Sequence, residues 1–154
     1  MSKLTHLLVA CPSPPVAFGT VSKIDLSGIA IGPDEAAALK EALSTEVAAA
    51  MVKKVLLRKC GLVEATAKTI AEGLRDHTSL HSLMLGANFG LNDAGVIALV
   101  SENPTLQKLS VRYCDVTDVF IKVICSSCME LEELDVRVSH LERSWLQPQL
   151  QKST

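Results

Sequence analysis

Two cysteines near the C-terminus, Cys125 and Cys128, form a C-x-x-C pair, the first set of residues to weigh for chemistry. Such a pair can exchange disulfides or supply half of a zinc site. A structural zinc ion needs four ligands, and Cys11, Cys60 and Cys114 provide no second pair. The pair falls at the end of a predicted helix, with Cys125 expected to face the core. We therefore expect structural burial rather than metal binding or redox chemistry.

The histidines and paired carboxylates are also poor candidates for a reactive site. His77 and His81 are four residues apart, a spacing that binds metal on one helix face. Here a predicted helix end and the start of a strand separate them, so we expect no metal site. The acidic pairs at 34–35 and 132–133 are adjacent in sequence, which does not place them across a substrate. The sequence also lacks G-x-G-x-x-G, Walker, H-E-x-x-H and G-x-S-x-G motifs. We expect no enzyme activity and no cofactor.

Composition narrows the classes of partner and compartment. Lys plus Arg is 15 and Asp plus Glu is 17, giving a formal net charge of −2, and aromatics make up 3%. This balance disfavours a nucleic-acid partner, which would require basic or base-stacking surfaces. No segment approaches the ~20 apolar residues that span a bilayer, so we expect no membrane insertion. Five cysteines at irregular spacing favour a reducing, cytoplasmic compartment.

The most informative pattern is an internal repeat. The template L-x-x-L-x-L-x-x-N/C, with any aliphatic residue in place of Leu, matches fully at 80–88. It matches with Cys in the last position at 52–60 and 106–114, and with Ile at 21–29, while 131–136 opens an incomplete fifth unit. The starts at 21, 52, 80, 106 and 131 are spaced by 31, 28, 26 and 25 residues. A repeat of this length predicts a solenoid.

Each match predicts a short strand followed by a turn. The L-x-L portion alternates with period 2, so its aliphatic side chains face inward and the intervening residues face outward. The last residue of the template, here called the ladder position, is Ile29, Cys60, Asn88 or Cys114. A small or amide side chain at this position can form hydrogen bonds with the backbone of the neighbouring coil. Cys can replace the amide because a buried thiol needs fewer hydrogen-bond partners.

Amphipathic stretches between the strands predict helices. They lie at 33–43, 64–74, 93–100 and 118–125, and an Ala-rich extension at 45–51 follows the first. Pro33 and the acids after it are typical of a helix start. In the last helix we expect Val119, Val123 and Ile124 to face the core. Strand and helix alternate, so we predict an α/β solenoid with parallel strands on a concave face and helices on the convex face.

The chain divides into three predicted regions. Residues 21–138 contain four full repeats and one partial repeat. Residues 1–20 include a strand-like segment and several prolines, and are interpreted as an N-terminal cap or flexible segment. Residues 139–154 leave the pattern and are interpreted as a C-terminal cap with a polar tail.

This pattern resembles the ribonuclease-inhibitor type of leucine-rich repeat. The templates and the helices between them carry the resemblance, and the best unit is 80–103, with Asn88 at the ladder position and Gly95 in the helix. Members are mostly binding scaffolds, including inhibitors, sensor domains and GTPase-activating proteins of the Ran family. The resemblance implies protein binding. It also leaves one alternative, a regulator of a small GTPase, although no functional residue of that group matches this chain.

The outward strand residues form the predicted binding surface. The predicted partner-binding residues are Lys54, Leu56, Arg58, Met84, Lys108, Arg112 and Tyr113. They would form an apolar centre with a basic rim, between acidic ends, as suits a protein interface. We expect a non-catalytic interaction module or a subunit of a larger protein complex. An ordinary polar sheet face, or binding through the helices or an end, remains open.

Overall fold

One strand–turn–helix unit is repeated along the chain. The computed structural model describes residues 22–75 and 77–137. The strands are β1 (Lys23–Asp25), β2 (Lys54–Leu56), β3 (Ser82–Met84), β4 (Lys108–Ser110) and β5 (Glu133–Asp135). The helices are α1 (Pro33–Leu43), α2 (Glu46–Met51), α3 (Glu64–Gly73), α4 (Asp93–Ser101) and α5 (Asp118–Ser127). The strands form one parallel sheet in the order of the sequence, β1-β2-β3-β4-β5.

The register of the sheet is the one that the repeat predicts. Lys54 pairs with Lys23 on one side and with Ser82 on the other, and the same offset continues through Lys108 to Glu133. The equivalent template positions are therefore neighbours in space. The predicted α/β solenoid is confirmed, with four strand–helix units and a fifth strand within the described residues.

Inward-facing aliphatic side chains and one face of each helix make a continuous core. Val55 on β2 and Leu83 on β3 are completely buried, as are Leu57 and Leu85 directly after these strands. Completely burying one such side chain contributes about 1.5–3 kcal/mol, so the sheet is held mainly by this contact with the helices. α3 packs against both α1 and α4, and α4 packs against α5.

The ladder position connects successive coils by hydrogen bonds. The Asn88 side chain is completely buried, and its Oδ1 accepts from the backbone N–H groups of Cys60 at 3.0 Å and Leu62 at 3.1 Å. Its Nδ2 donates to the backbone oxygens of Leu57 at 2.8 Å and Leu85 at 2.7 Å. The amide thus satisfies polar groups in two coils that the core shields from water.

The two ladder cysteines reproduce part of this arrangement. The Cys60 thiol donates to the Leu26 oxygen at 3.2 Å, and the Cys114 thiol donates to the Leu85 oxygen at 3.1 Å. Burial raises the pKa of the Cys114 thiol to about 11, so the thiol keeps the proton that this bond needs. The structural role predicted for Cys60 and Cys114 is confirmed.

The residue before each ladder position has a left-handed backbone. The φ angles are 83° at Gly28, 54° at Lys59, 60° at Ala87 and 57° at Tyr113. Each of these residues donates its backbone N–H to the carbonyl oxygen of the next coil, as Lys59 does to Gly86 at 3.1 Å. This conformation is free of penalty at Gly28 but strained at the three residues that carry a Cβ.

One prediction about α5 is wrong, and a second is confirmed only in part. Cys125 is exposed, and Cys128 is the buried member of the pair. Of the three residues predicted to face the core, Ile124 is buried, Val123 is half-buried and Val119 is 51% exposed, while Phe120 is the other buried residue. Both differences reflect the phase of the helix, because α5 has apolar residues on two sides and the larger Phe side chain gains most from burial.

The Ala-rich extension at 45–51 contains a helix of its own. α2 begins after Thr45, whose hydroxyl accepts from the Ala48 N–H at 3.1 Å. The predicted caps at 1–20 and 139–154 lie outside the described residues, and their roles stay predictions.

Candidate protein-binding surface

The strand face contains an open groove of about 1000 Å³. We use "strand face" for the outward residues of β1–β5 and the residue two positions after each strand. The groove lies over β3, β4 and β5 and extends to the turn after β2. Its lining includes Arg58, Met84, Lys108, Arg112 and Tyr113, five of the seven residues predicted from sequence. The parallel register brings them together from three repeats.

The apolar centre of this face differs from the prediction. Leu56 lies in the outward column, as expected, but is only 8% exposed and does not line the groove. Its register neighbours are Asp25 and Met84, on strands that run about 4.8 Å away on either side. A branched side chain between two neighbours this close has little access to solvent. Met84 is half-buried and is the apolar residue of the two that reaches the groove.

The basic rim is neutralised on one side. The Lys108 Nζ lies 3.1 Å from a Glu133 carboxylate oxygen, and the Arg112 Nε lies 3.7 Å from Asp135. Two of the acidic residues predicted to flank the rim, Glu133 and Asp135, are therefore its ion-pair partners. In the described part of the chain, no ion pair forms at Lys54 or Arg58, so the positive charge available to a partner is concentrated at β2.

The acidic end of the face is fixed by a tight charge cluster. Arg137 Nε and Nη2 donate to the two oxygens of Asp135 at 3.0 and 2.8 Å. The hydrogen bond from Arg137 is the main reason that the pKa of Asp135 lies below its usual value, against the opposing effect of partial burial. Asp135 is ionised at neutral pH and holds both Arg112 and Arg137 in place.

An aromatic residue outside the predicted set lies at the edge of this face. Phe89 is 73% exposed, and its ring centroid is 6.4 Å from that of Tyr113, which is 39% exposed. The Arg112 guanidinium lies 5.6 Å from the centre of the Tyr113 ring, within cation–π distance. The sequence contains a signal for Phe89, because this position follows the ladder residue and is not aromatic in the other full repeats, where it is Ala30, Gly61 or Asp115.

The described residues hold no group of three or more His, Cys, Asp or Glu side chains arranged for a metal ion. Burial raises the pKa of the Cys128 thiol, which disfavours a reactive thiolate there. His77 is buried, with its Nε2 2.8 Å from the Leu43 oxygen, and belongs to the core.

Among the described helices, none combines the length and apolar character needed to cross a membrane.

The comparisons with known proteins support the fold. No family model matches the chain, and no curated protein is similar to it in sequence. Its structure is similar to a solved structure described as actin-binding site 2 of leiomodin-1, with a TM-score of 0.63 and 17% sequence identity. The alignment covers 97% of this chain and 93% of that one. The chain therefore has a leucine-rich-repeat-like solenoid fold.

Proposed function

We propose that this protein is a non-catalytic interaction module whose strand face binds a protein partner. The observation that carries the proposal is the groove of about 1000 Å³, which combines unpaired positive charge, an apolar floor and an exposed tyrosine. Arg58, Met84 and Tyr113 are the residues we expect to contribute most, because buried apolar contacts and Arg or Tyr anchors dominate binding energy. Lys54, Lys108 and Arg112 would set orientation and association rate.

The structural neighbour suggests one partner to test first. That solved structure is described as an actin-binding site, and its fold is shared over almost the whole chain. Filamentous actin is therefore the first probe, in a co-sedimentation assay with the purified protein. Sedimentation with actin that Arg58→Glu abolishes would identify actin as the partner on this face. If the protein does not sediment with actin, actin is excluded, and the partner is then sought by unbiased affinity capture.

A decisive capture experiment needs a charge-reversal variant that leaves the fold intact. Reversing Lys108 or Arg112 would place like charges against Glu133 and Asp135, so these two residues are unsuitable. The double variant Lys54→Glu/Arg58→Glu avoids this because neither residue has an ion pair within the described chain.

The matched control reverses two charges on the helical side. Lys68→Glu/Lys122→Glu turns two exposed i,i+4 ion pairs, with Glu64 and Asp118, into like-charge pairs; on a helix surface each loss and each repulsion costs only a few tenths of a kcal/mol, and neither lies on the strand face. Partners captured by wild type and control but lost from the strand-face variant would support the proposal. Partners retained equally by all three would contradict it and direct attention to the helices or ends.

Two finer assignments follow from the resemblance of the repeats. We assign the repeats to the ribonuclease-inhibitor type, on the strength of the 25- to 31-residue spacing and the helix in every full unit. The alternative function, regulation of a small GTPase, has only this resemblance behind it. Single-turnover GTP hydrolysis would distinguish it, because a regulator changes the rate whereas a simple binding module does not.

A further inference from the structure

Two exposed aromatic side chains stand at repeat positions where the fold does not require them. Phe89 follows the ladder residue, and the equivalent residues of the other full repeats are Ala30, Gly61 and Asp115. The same turn therefore forms with a small or polar residue. Phe89 is 73% exposed, so its ring adds little to the core. An exposed aromatic that the fold does not need is typical of a binding surface.

Tyr113 is the second of these residues, and its backbone is strained. It has a φ of 57° at the position occupied by Gly28, Lys59 and Ala87 in the other units. A bulky side chain is an outlier in this conformation, and the same turn forms with glycine or alanine, so the fold does not require the tyrosine. The tilted contact with Phe89, at 6.4 Å between ring centroids, makes the two rings one continuous patch.

A small hollow lies beside this patch. Its volume is about 450 Å³, and it is lined by Lys59, Gly61, Leu62, Val63, Ala87, Phe89 and Gly90. The lining is mainly apolar, with Val63 45% exposed, and Lys59 is its charged residue. Lys59 and Ala87 also line the groove of the strand face, so the two hollows meet at these residues. A bound segment could lie in the groove and place one side chain in the hollow.

Positive charge where the groove meets the hollow favours an acidic partner. Arg58 and Lys59 are exposed neighbours on the turn after β2, and neither has an ion pair in the described part of the chain. The third cation nearby, Arg112, lies over the Tyr113 ring and is already paired with Asp135, so the available charge is that of Arg58 and Lys59. An acidic segment could pair with Arg58 and Lys59 without displacing an existing ion pair.

We propose that Lys59, Val63, Phe89 and Tyr113, here called the aromatic edge, dock an acidic protein segment through one large apolar side chain. The apolar side chain enters the hollow between Val63 and Phe89, and flanking carboxylates pair with Arg58 and Lys59. The inference rests on the proposed function, since it specifies where on the face the partner binds and what chemistry the partner presents.

The probe is a display library of random short peptides, selected on the purified wild-type protein. We expect enrichment of peptides that combine Asp or Glu with Phe, Leu or Trp. Selection of basic or uncharged sequences, or no selection at all, would overturn the proposal. The most enriched peptide is then labelled and titrated by fluorescence polarisation, alongside an analogue with Asn and Gln in place of its acids. The analogue should bind at least about tenfold more weakly.

Variants locate the binding site. Phe89→Ala and Lys59→Glu should each weaken peptide binding about tenfold or more, as removal of a central anchor does. The matched controls are Met129→Ala, which removes an apolar side chain that is 81% exposed elsewhere, and Lys53→Glu, which reverses an exposed charge just before β2. Both controls should bind as wild type does, and unfolding by urea checks that all four variants fold.

The outcomes separate this inference from the proposed function. Binding lost in Lys54→Glu/Arg58→Glu but kept in Phe89→Ala and Lys59→Glu would retain the strand face and refute the aromatic edge. Binding unaffected by every one of these variants would refute both.

Discussion

The amide of Asn88 should be the most sensitive polar group in the solenoid. Replacing it by Ala removes four hydrogen bonds and leaves the N–H groups of Cys60 and Leu62 and the oxygen of Leu57 without their partner. The Leu85 oxygen still accepts from the Cys114 thiol. Each buried polar group left unsatisfied costs about 1–3 kcal/mol. Water entering the space left by the amide would relieve part of this, so we expect a loss of about 3–5 kcal/mol.

Asn103 supplies the matched control. Its side chain is equally buried, but the hydrogen bond it makes is within its own helix end, from Nδ2 to the Leu99 oxygen at 2.9 Å. Asn103→Ala should therefore cost about 1 kcal/mol. A third variant, Asn88→Cys, restores a thiol donor of the kind seen at Cys60 and Cys114, and should recover about 1 kcal/mol relative to Asn88→Ala.

The assay is urea unfolding followed by circular dichroism, with stability taken from linear extrapolation. From most to least stable, we expect the order wild type, Asn103→Ala, Asn88→Cys, Asn88→Ala. If Asn88→Ala lay within about 1 kcal/mol of Asn103→Ala, the ladder amide would not be connecting the coils in the way its hydrogen bonds indicate.

Three further changes test other parts of the structure. Gly73→Ala should destabilise the protein by about 1–3 kcal/mol in urea, despite the higher helix propensity of Ala, because the new Cβ would lie 2.9 Å from the Lys40 backbone. Ala87→Gly should raise stability by up to about 1 kcal/mol by relieving the φ of 60°, and an unchanged or lower melting temperature would contradict this. The lowered pKa of Asp135 means that its ion pairs stabilise the fold above the ordinary Asp pKa of about 3.9 and that this is lost as pH falls through the lower folded value. Asp135→Asn should therefore be less stable than wild type at pH 7, and the two melting temperatures should converge at low pH.

The strands and their register could be predicted because the signal is local and repeated. A period-2 aliphatic pattern sets which side chains face inward, and equal template positions must be neighbours once parallel coils stack. Lys54, Ser82 and Lys108 therefore lie side by side, as the template requires. Helix starts could be predicted equally well, since Pro33 supplies a start signal that does not depend on the rest of the fold.

The candidate site was predicted less completely, because its properties depend on neighbours in other repeats. The template predicts the outward column of Leu56 correctly, but its burial depends on the side chains of the adjacent strands. Lys108 was expected to be available to a partner, but Glu133 lies opposite it across the β4–β5 pairing and neutralises it. Phe89 is absent from the predicted set because its exposure depends on the fold of the turn and not on the sequence pattern.

The sequence by itself determined that this protein is a solenoid, which residues face the strand side, and that Asn88, Cys60 and Cys114 occupy one ladder. These follow from periodicity, which acts within a few residues and recurs in every coil. Tertiary structure alone decided which charges remain available, which face of α5 is buried, and that Phe89 and Tyr113 meet at one edge. These depend on contacts between residues about one repeat apart in sequence, whose distances only the stacking of the coils sets.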